Sequence, residues 1–219
     1  MAPAARPRPR KKPLLRGYSH EVASYAAIAA AGALVAGARS GSARLAAGTY
    51  AITLVLLFAA SAFYHRPHWS PRARSILGRV DQSAIFLLIA GTNTPIALAV
   101  GGAVGHAVLA AVWAGAVCGV ALSIAWPSAP KWVMALVCVG IGWIGAVAAP
   151  ALYARLGARA LLLMIGGGLL YTIGAAIYAA RRPDPAPRIF GYHEIFHLLV
   201  VAAAACHFVV VQQAVDALS

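Results

Sequence analysis

Charged side chains are scarce in this sequence. Only 11% of its 219 residues are charged and five are acidic, whereas 62% are hydrophobic. A soluble domain carries about 25% charged residues, so too few polar side chains are present to cover a soluble globule. The scarcity of charge therefore predicts a polytopic membrane protein.

Cysteine is also scarce, and its placement excludes two classes of site. The three cysteines, Cys118, Cys138 and Cys206, lie far apart inside apolar runs and show no CxxC spacing. A disulfide framework or a thiolate metal site is therefore not expected. The basic N-terminus is not followed closely by an apolar stretch with a cleavage site, so no removed signal peptide is predicted.

Long apolar runs dominate what is present. A membrane-spanning helix needs about 20 apolar residues, and such runs cover residues 20–38, 45–65, 81–100, 106–126, 131–150, 158–180 and 193–214. The sequence thus predicts an all-α fold, a seven-transmembrane helix bundle over residues 18–219. Residues 1–17, rich in proline, arginine and lysine, are expected to form a disordered basic arm in the cytosol.

The distribution of the basic residues predicts an orientation. Fourteen of the 18 lysines and arginines fall in the arm and in the loops that share its side of the bundle, and four fall in the opposite loops. Basic loops stay in the cytoplasm, so we expect the N-terminus inside, the C-terminus outside, and a cell-membrane location. No arginine-rich helix or basic face interleaved with aromatics is present, so nucleic acid is not an expected partner.

Ionisable residues from four spans meet at the cytoplasmic end of this topology. His65 ends helix 2, while Glu21, Asp81 and His193 begin helices 1, 3 and 7. His193 and His197 are four residues apart, so both imidazoles lie on one helix face. Three neutral imidazoles with an open fourth position form the usual catalytic zinc arrangement. Copper, iron and nickel also accept imidazole, so zinc is a preference among metals.

Two further side chains are candidates for catalysis, and each has a simpler alternative. Asp81 is placed to hold a metal-bound water or to orient a histidine, and Ser61, one turn before His65, to donate a hydrogen bond to a developing oxyanion. Asp81 and Glu21 also suit helix N-caps or first turns, and capping is the expected role of Glu194. His20 is expected at the membrane interface.

Several spaced motifs resemble those of the hemolysin III family, bacterial relatives of the progestin and adiponectin receptors. They are Arg16-Gly17 with His20-Glu21, SAFYH at 61–65, Asp81 followed by IFLLIAGTNTP, and YHEIFHLLVVAAAACHF at 192–208. The resemblance implies a seven-helix bundle with zinc ligands His65, His193 and His197, and Asp81 contacting a zinc-bound water. The receptor relatives are associated with ceramidase-like hydrolysis, whereas the bacterial group is named for cytolytic activity.

Three functions follow as hypotheses. The first is a zinc-dependent hydrolase acting on an amide or ester bond of a membrane lipid held within the bundle. The second is a non-enzymatic pore former, cytolysin or regulator of membrane lipid state with a structural metal. The third is an intramembrane metalloprotease, since residues 193–197 fit H-E-x-x-H with Glu194 as general base; it lacks a further ligand carboxylate deep in another helix. The sequence leaves the oligomeric state open.

Overall fold

The computed structural model describes residues 12–219, which are almost entirely helical and contain no β-strand. The expected arm falls mostly on residues 1–11, which lie outside the described residues. The helices are α1 (Tyr18–Gly37), α2 (Gly41–His65), α3 (Pro71–Val100), α4 (Gly102–Ala125), α5 (Lys131–Gly142), a 3-10 helix (Trp143–Ala148), α6 (Ala149–Ala180) and α7 (Tyr192–Leu218). The all-α expectation is thereby confirmed.

Helix α3 begins earlier than the apolar run predicts. Ser70 caps it by accepting a hydrogen bond from the backbone N–H of Ala73 at 3.3 Å, and Pro71 occupies its first turn, where proline is well tolerated. Asp81 therefore lies inside α3, and the expectation that it begins or caps this helix is wrong. Hydropathy identifies only the apolar part of a helix, so it predicts a loop at the polar first turns of α3.

Small residues fill much of the interior of the bundle, while many large apolar side chains point outward. Ala43, Ala46 and Ala47 of α2 are fully buried, whereas Ile52 on the same helix and Leu162 on α6 are about 70% exposed. Small residues at helix contacts and large ones towards lipid are typical of membrane helix packing. The exposure of large apolar side chains therefore supports a location of the bundle inside a bilayer.

Five segments of the described residues are long and apolar enough to cross a membrane: Gly41–His65, Pro71–Val100, Gly102–Ala125, Lys131–Ala180 and Tyr192–Leu218. The chain is a multi-pass membrane protein. Helix α1 is not among the five, because its first turn carries the polar residues His20 and Glu21. The segment Lys131–Ala180, at 50 residues, is far longer than one crossing requires.

This long segment folds back on itself at Gly157. The residue has φ 82° and ψ 178°, which breaks the helix. Trp143 and Thr172 lie 29 residues apart, so a straight helix would separate them by about 44 Å. Instead the indole N–H of Trp143 donates a hydrogen bond to the Thr172 hydroxyl at 3.0 Å. The two halves are therefore antiparallel neighbours.

Candidate metal centre

Three histidines from two helices meet at one end of the bundle. His65 is the last residue of α2, and His193 and His197 lie in the first two turns of α7. Their candidate ligand atoms all lie within 4.8 Å of one another, and the Nε2 atoms of His65 and His193 are 3.2 Å apart. All three side chains are buried. The structure thus assembles the three histidines that the sequence predicts to share an ion.

The chemistry of this cluster suits a metal ion. The Nδ1 atoms of His193 and His197 are buried and have no hydrogen-bond partner within residues 12–219. A buried polar atom left unpaired costs about 1–3 kcal/mol, so burying several imidazoles together needs a compensating ligand. Clustered imidazole nitrogens are the donor set used by zinc, copper, iron and nickel. The histidines could hold a metal ion, and the donor set alone does not fix which one.

Asp81 and Ser61 occupy different positions relative to the histidines. Asp81 Oδ2 lies 3.5 Å from Nε2 of His65, and its side chain is 20% exposed. Ser61 is buried on α2, one turn before His65 and thus about 6 Å deeper along the helix axis. In the part of the chain that the structure describes, no hydrogen bond joins Ser61 to a histidine. Asp81 is therefore at the cluster, whereas Ser61 lies below it.

His20 is a fourth histidine of this site, and the expectation that it lies at the interface is wrong. Its ring stacks on that of His197 with centroids 3.8 Å apart and an interplanar angle of 6°. It is 3% exposed, and neither ring nitrogen has a partner among the described residues. The sequence did hold a signal: His20 is in phase with Ala27, Ala31 and other buried small residues of α1.

The chain segment before α1 passes directly over the cluster. The backbone N–H groups of Leu14 and Leu15 donate to the carbonyls of residues 188 and 189 at 3.0 and 3.2 Å. Gly17 has φ 80°, and a Cβ on this residue would lie 2.7 Å from Cβ of His65. Only glycine fits this approach, because it adopts positive φ freely and has no side chain. The segment therefore covers the cluster where His65 lies.

Two ion pairs hold the same region. Arg16 Nε lies 2.5 Å from Oε1 of Glu194, which is almost completely buried. Glu194 Oε2 also accepts the backbone N–H of Gly191 at 2.8 Å, which confirms its expected capping role. Arg66 pairs with Glu21 at 2.6 Å in a more exposed setting. Because both oxygens of Glu194 are engaged, this carboxylate is poorly placed to act as the general base of a protease.

The remaining histidines lie away from the cluster. His68 and His106 are exposed. His207 is buried on α7, where its Nε2 lies 3.1 Å from the carbonyl oxygen of Met164 on α6. It also contacts Gly167, at which an added Cβ would lie 2.4 Å from the imidazole. His207 therefore links α7 to α6 by a hydrogen bond within the bundle.

A cleft of about 410 Å³ leads to the histidines from the same end of the bundle. His65, His193 and Asp81 line it together with the ends of α4 and α6 and the first turns of α5, including Trp126, Lys131 and Tyr178. The cluster is therefore buried, and this polar cleft gives access to it.

Comparisons with known proteins relate the sequence of this chain to a family of membrane proteins. The family model described as haemolysin-III related matches residues 9–208. The chain is 32% identical to Hemolysin-3 of Bacillus cereus over 168 residues, which cover 76% of this chain and 74% of that protein. It is 30% identical to the Hemolysin-3 homolog of Bacillus subtilis (strain 168) over 160 residues, which cover 73% and 72% of the two chains.

Proposed function

This chain belongs to the haemolysin-III related family, and from that premise we propose that it is a zinc-dependent hydrolase that cleaves an amide or ester bond of a membrane lipid. The observation that carries this proposal is the group of three buried histidines with a carboxylate 3.5 Å from one of them, at the end of an open cleft. Such a centre combines a metal-binding donor set with a group able to accept a proton.

The proposal includes seven membrane crossings with the N-terminus in the cytoplasm and the C-terminus outside. The reversal at Gly157 supports two crossings within Lys131–Ala180. Helix α1 packs beside α2 and buries His20 in the shared site, which supports a crossing by α1 as well. The excess of basic residues on the cluster's side supports placing that side in the cytoplasm.

The orientation can be tested by labelling single cysteines in intact cells with an impermeant thiol reagent, after Cys118, Cys138 and Cys206 are replaced by serine. Position 155, close to the Gly157 reversal, is expected to react from outside. Position 181, just after α6, is expected to react only after the membrane is opened. If positions 155 and 181 both react from outside, or both react only after the membrane is opened, the topology is contradicted.

His65, His193 and His197 would hold the metal through neutral imidazole nitrogens. A zinc ion held by three histidines supplies Lewis acidity, which makes water more acidic and polarises a carbonyl group. The surrounding residues keep the imidazoles in place: Glu194 caps the start of α7 and is itself fixed by Arg16. The stack of His20 on His197 holds that ring against rotation.

Asp81 would act as the proton acceptor of the site. Its Oδ2 faces Nε2 of His65, and it lines the cleft through which water and the lipid headgroup region would enter. A carboxylate in this position can take a proton from an attacking water and return it to the leaving amine or alcohol. Ser61, one turn deeper, would donate a hydrogen bond to the oxyanion that develops on the carbonyl.

The decisive experiment measures zinc content and fatty-acid release on the same purified samples. His193→Ala is expected to lose both zinc and activity, and Asp81→Asn to keep zinc while activity falls by about 100-fold or more. His106→Ala, on an exposed histidine of α4, serves as the control and should change neither. Full zinc content in His193→Ala would disprove the metal site, and full activity in Asp81→Asn would disprove the role of Asp81.

A second candidate function is supported by the relatives' name, since the similar protein of Bacillus cereus is called Hemolysin-3. In that case the metal would be structural and the chain would permeabilise membranes. Leakage of dye from liposomes that persists in Asp81→Asn, without fatty-acid release by the unmodified protein from any lipid amide or ester offered, would favour this function over hydrolysis.

A further inference from the structure

The cleft in front of the histidines is strongly basic. Arg16, Arg74, Arg79 and Lys131 line it, whereas Asp81 is its one acidic lining residue. Arg16 is neutralised by Glu194. The described residues form no salt bridge with the other three cations, and residues 1–11 contain no acidic side chain that could do so. An excess of positive charge therefore faces the cavity.

Membrane orientation does not account for these positions. The tendency of basic residues to stay in the cytoplasm concerns loops, and it is satisfied by exposed side chains such as Arg72 and Arg181. Arg79 is different, since its Nε is buried and has no hydrogen-bond partner among the described residues. The residue as a whole is half-buried, but an N–H group buried without an acceptor is costly, so a ligand that supplies an acceptor is expected in the cleft.

Lys131 is also held in a position from which it can bind a ligand in the cleft. Its Nζ donates to the hydroxyl of Tyr192 at 3.0 Å and lies 4.2 Å from the ring centroid of Tyr178 and 4.9 Å from that of Tyr192. These contacts fix the ammonium without neutralising its charge. Fixed and unneutralised, Lys131 keeps its affinity for an anion and loses little side-chain entropy on binding one.

We propose that this cleft binds the phosphate group of an anionic phospholipid of the inner leaflet, with Arg79 and Lys131 as its principal contacts. The fork of N–H groups on arginine matches the oxygens of a phosphate, and lysine binds phosphate as a point charge. Basic pockets between membrane helices on the cytoplasmic side are suited to anionic headgroups. The cleft opens at one end of the membrane-spanning helices, where lipid headgroups are concentrated, and this favours a lipid over free phosphate as the source.

This inference deepens the proposed function and rests on it for the reacting bond. His65, His193 and Asp81 line the same cleft as the basic residues. A phosphate bound by Arg79 and Lys131 would therefore place the acyl linkage of the same lipid next to the histidines. The binding step can be measured separately, because it needs neither zinc nor turnover.

The test uses the full chain in nanodiscs, stripped of zinc, and measures by native mass spectrometry the retention of phosphatidylglycerol relative to phosphatidylcholine. The double variant Arg79→Gln/Lys131→Gln is compared with Arg72→Gln/Arg181→Gln, which removes the same charge from exposed positions at the same end. Each direct hydrogen bond to the bound phosphate contributes about fivefold in affinity, whereas exposed charges without a direct contact are screened by salt. We therefore expect about 25-fold weaker retention in the first double variant and less than about twofold in the second.

Several outcomes would overturn the inference. These are unchanged retention in the cleft variant, equal loss in the control variant, or tight binding of inorganic phosphate that phosphatidylglycerol does not displace. If the double variant unfolds, Arg79→Lys replaces it; this variant keeps the charge but loses the fork, and intermediate retention is expected. Retention of phosphatidylglycerol by His193→Ala, combined with no hydrolysis by the unmodified protein, would uphold the inference while disproving the proposed hydrolase.

Discussion

Replacing Gly17 by alanine is expected to weaken the metal centre, although Gly17 is not a ligand. The new Cβ would lie 2.7 Å from Cβ of His65, and an ordinary contact begins at 3.4 Å, so the two atoms must separate by 0.7 Å. The positive φ of 80° adds about 1–2 kcal/mol for any residue with a side chain. Overpacking of this kind adds about 1–3 kcal/mol, which gives about 2–5 kcal/mol in total.

Either His65 or the N-terminal segment can move to relieve this contact, and both movements disturb the site. His65 is the last residue of α2, so a shift of its backbone moves the imidazole away from His193. If the N-terminal segment moves instead, Arg16 is drawn away from Glu194, which caps the helix that carries His193. Loss of a supporting contact around a metal ligand weakens binding about 10- to 100-fold. We expect zinc affinity to fall within that range.

Zinc affinity is measured by competition with a chromogenic chelator, and stability by the midpoint of thermal unfolding in detergent. The control is Gly32→Ala on α1, where an added Cβ meets no atom within 4 Å; this variant should bind zinc normally and unfold at the same or a slightly higher temperature. If Gly17→Ala matches the control in both measurements, the segment does not contact His65 as described.

Three further predictions concern the surroundings of the site. Arg16→Gln should lower the free energy of unfolding by about 1.5–3 kcal/mol, because its pair is mostly buried, whereas Arg66→Gln in the exposed pair should cost less than about 1 kcal/mol; equal losses in chemical denaturation would contradict this. His20→Phe should retain or raise the unfolding temperature, since it removes unpaired buried nitrogens, but should lower lipid hydrolysis; unchanged hydrolysis would exclude a functional role. Gly167→Ala should destabilise the bundle by about 1–3 kcal/mol while Gly166→Ala should not, because only the first would clash with a neighbouring helix; similar unfolding midpoints for the two would count against the described packing.

The sequence predicts the part of the site that depends on local periodicity. Two histidines four residues apart share a helix face whatever surrounds the helix, and His193 and His197 indeed lie together. Predicting that His65 joins them requires one further inference. Consecutive helices cross the membrane in alternating directions, so the end of helix 2 and the start of helix 7 face the same side. The structure does bring His65 next to His193, as charge and hydropathy together predict.

The features that the sequence does not predict depend on contacts between residues that are far apart in the chain. The first turns of α3 are polar and line the cleft, so hydropathy predicts a loop there and a helix that starts at Asp81, although Asp81 lies inside α3. A single histidine near a helix start is usually solvated, so the sequence predicts an interfacial His20. Its burial follows from packing against Phe58 and His197, residues that are remote in the chain.

The separation of His65 and His193 by 128 residues has a consequence for how the protein is made. During synthesis the N-terminal helices enter the membrane first, so His65 reaches the bilayer long before the last helix leaves the ribosome. Until α7 inserts, the earlier helices therefore contain an incomplete cluster. A chain interrupted before α7 would lack His193 and His197 and could not form the three-histidine cluster.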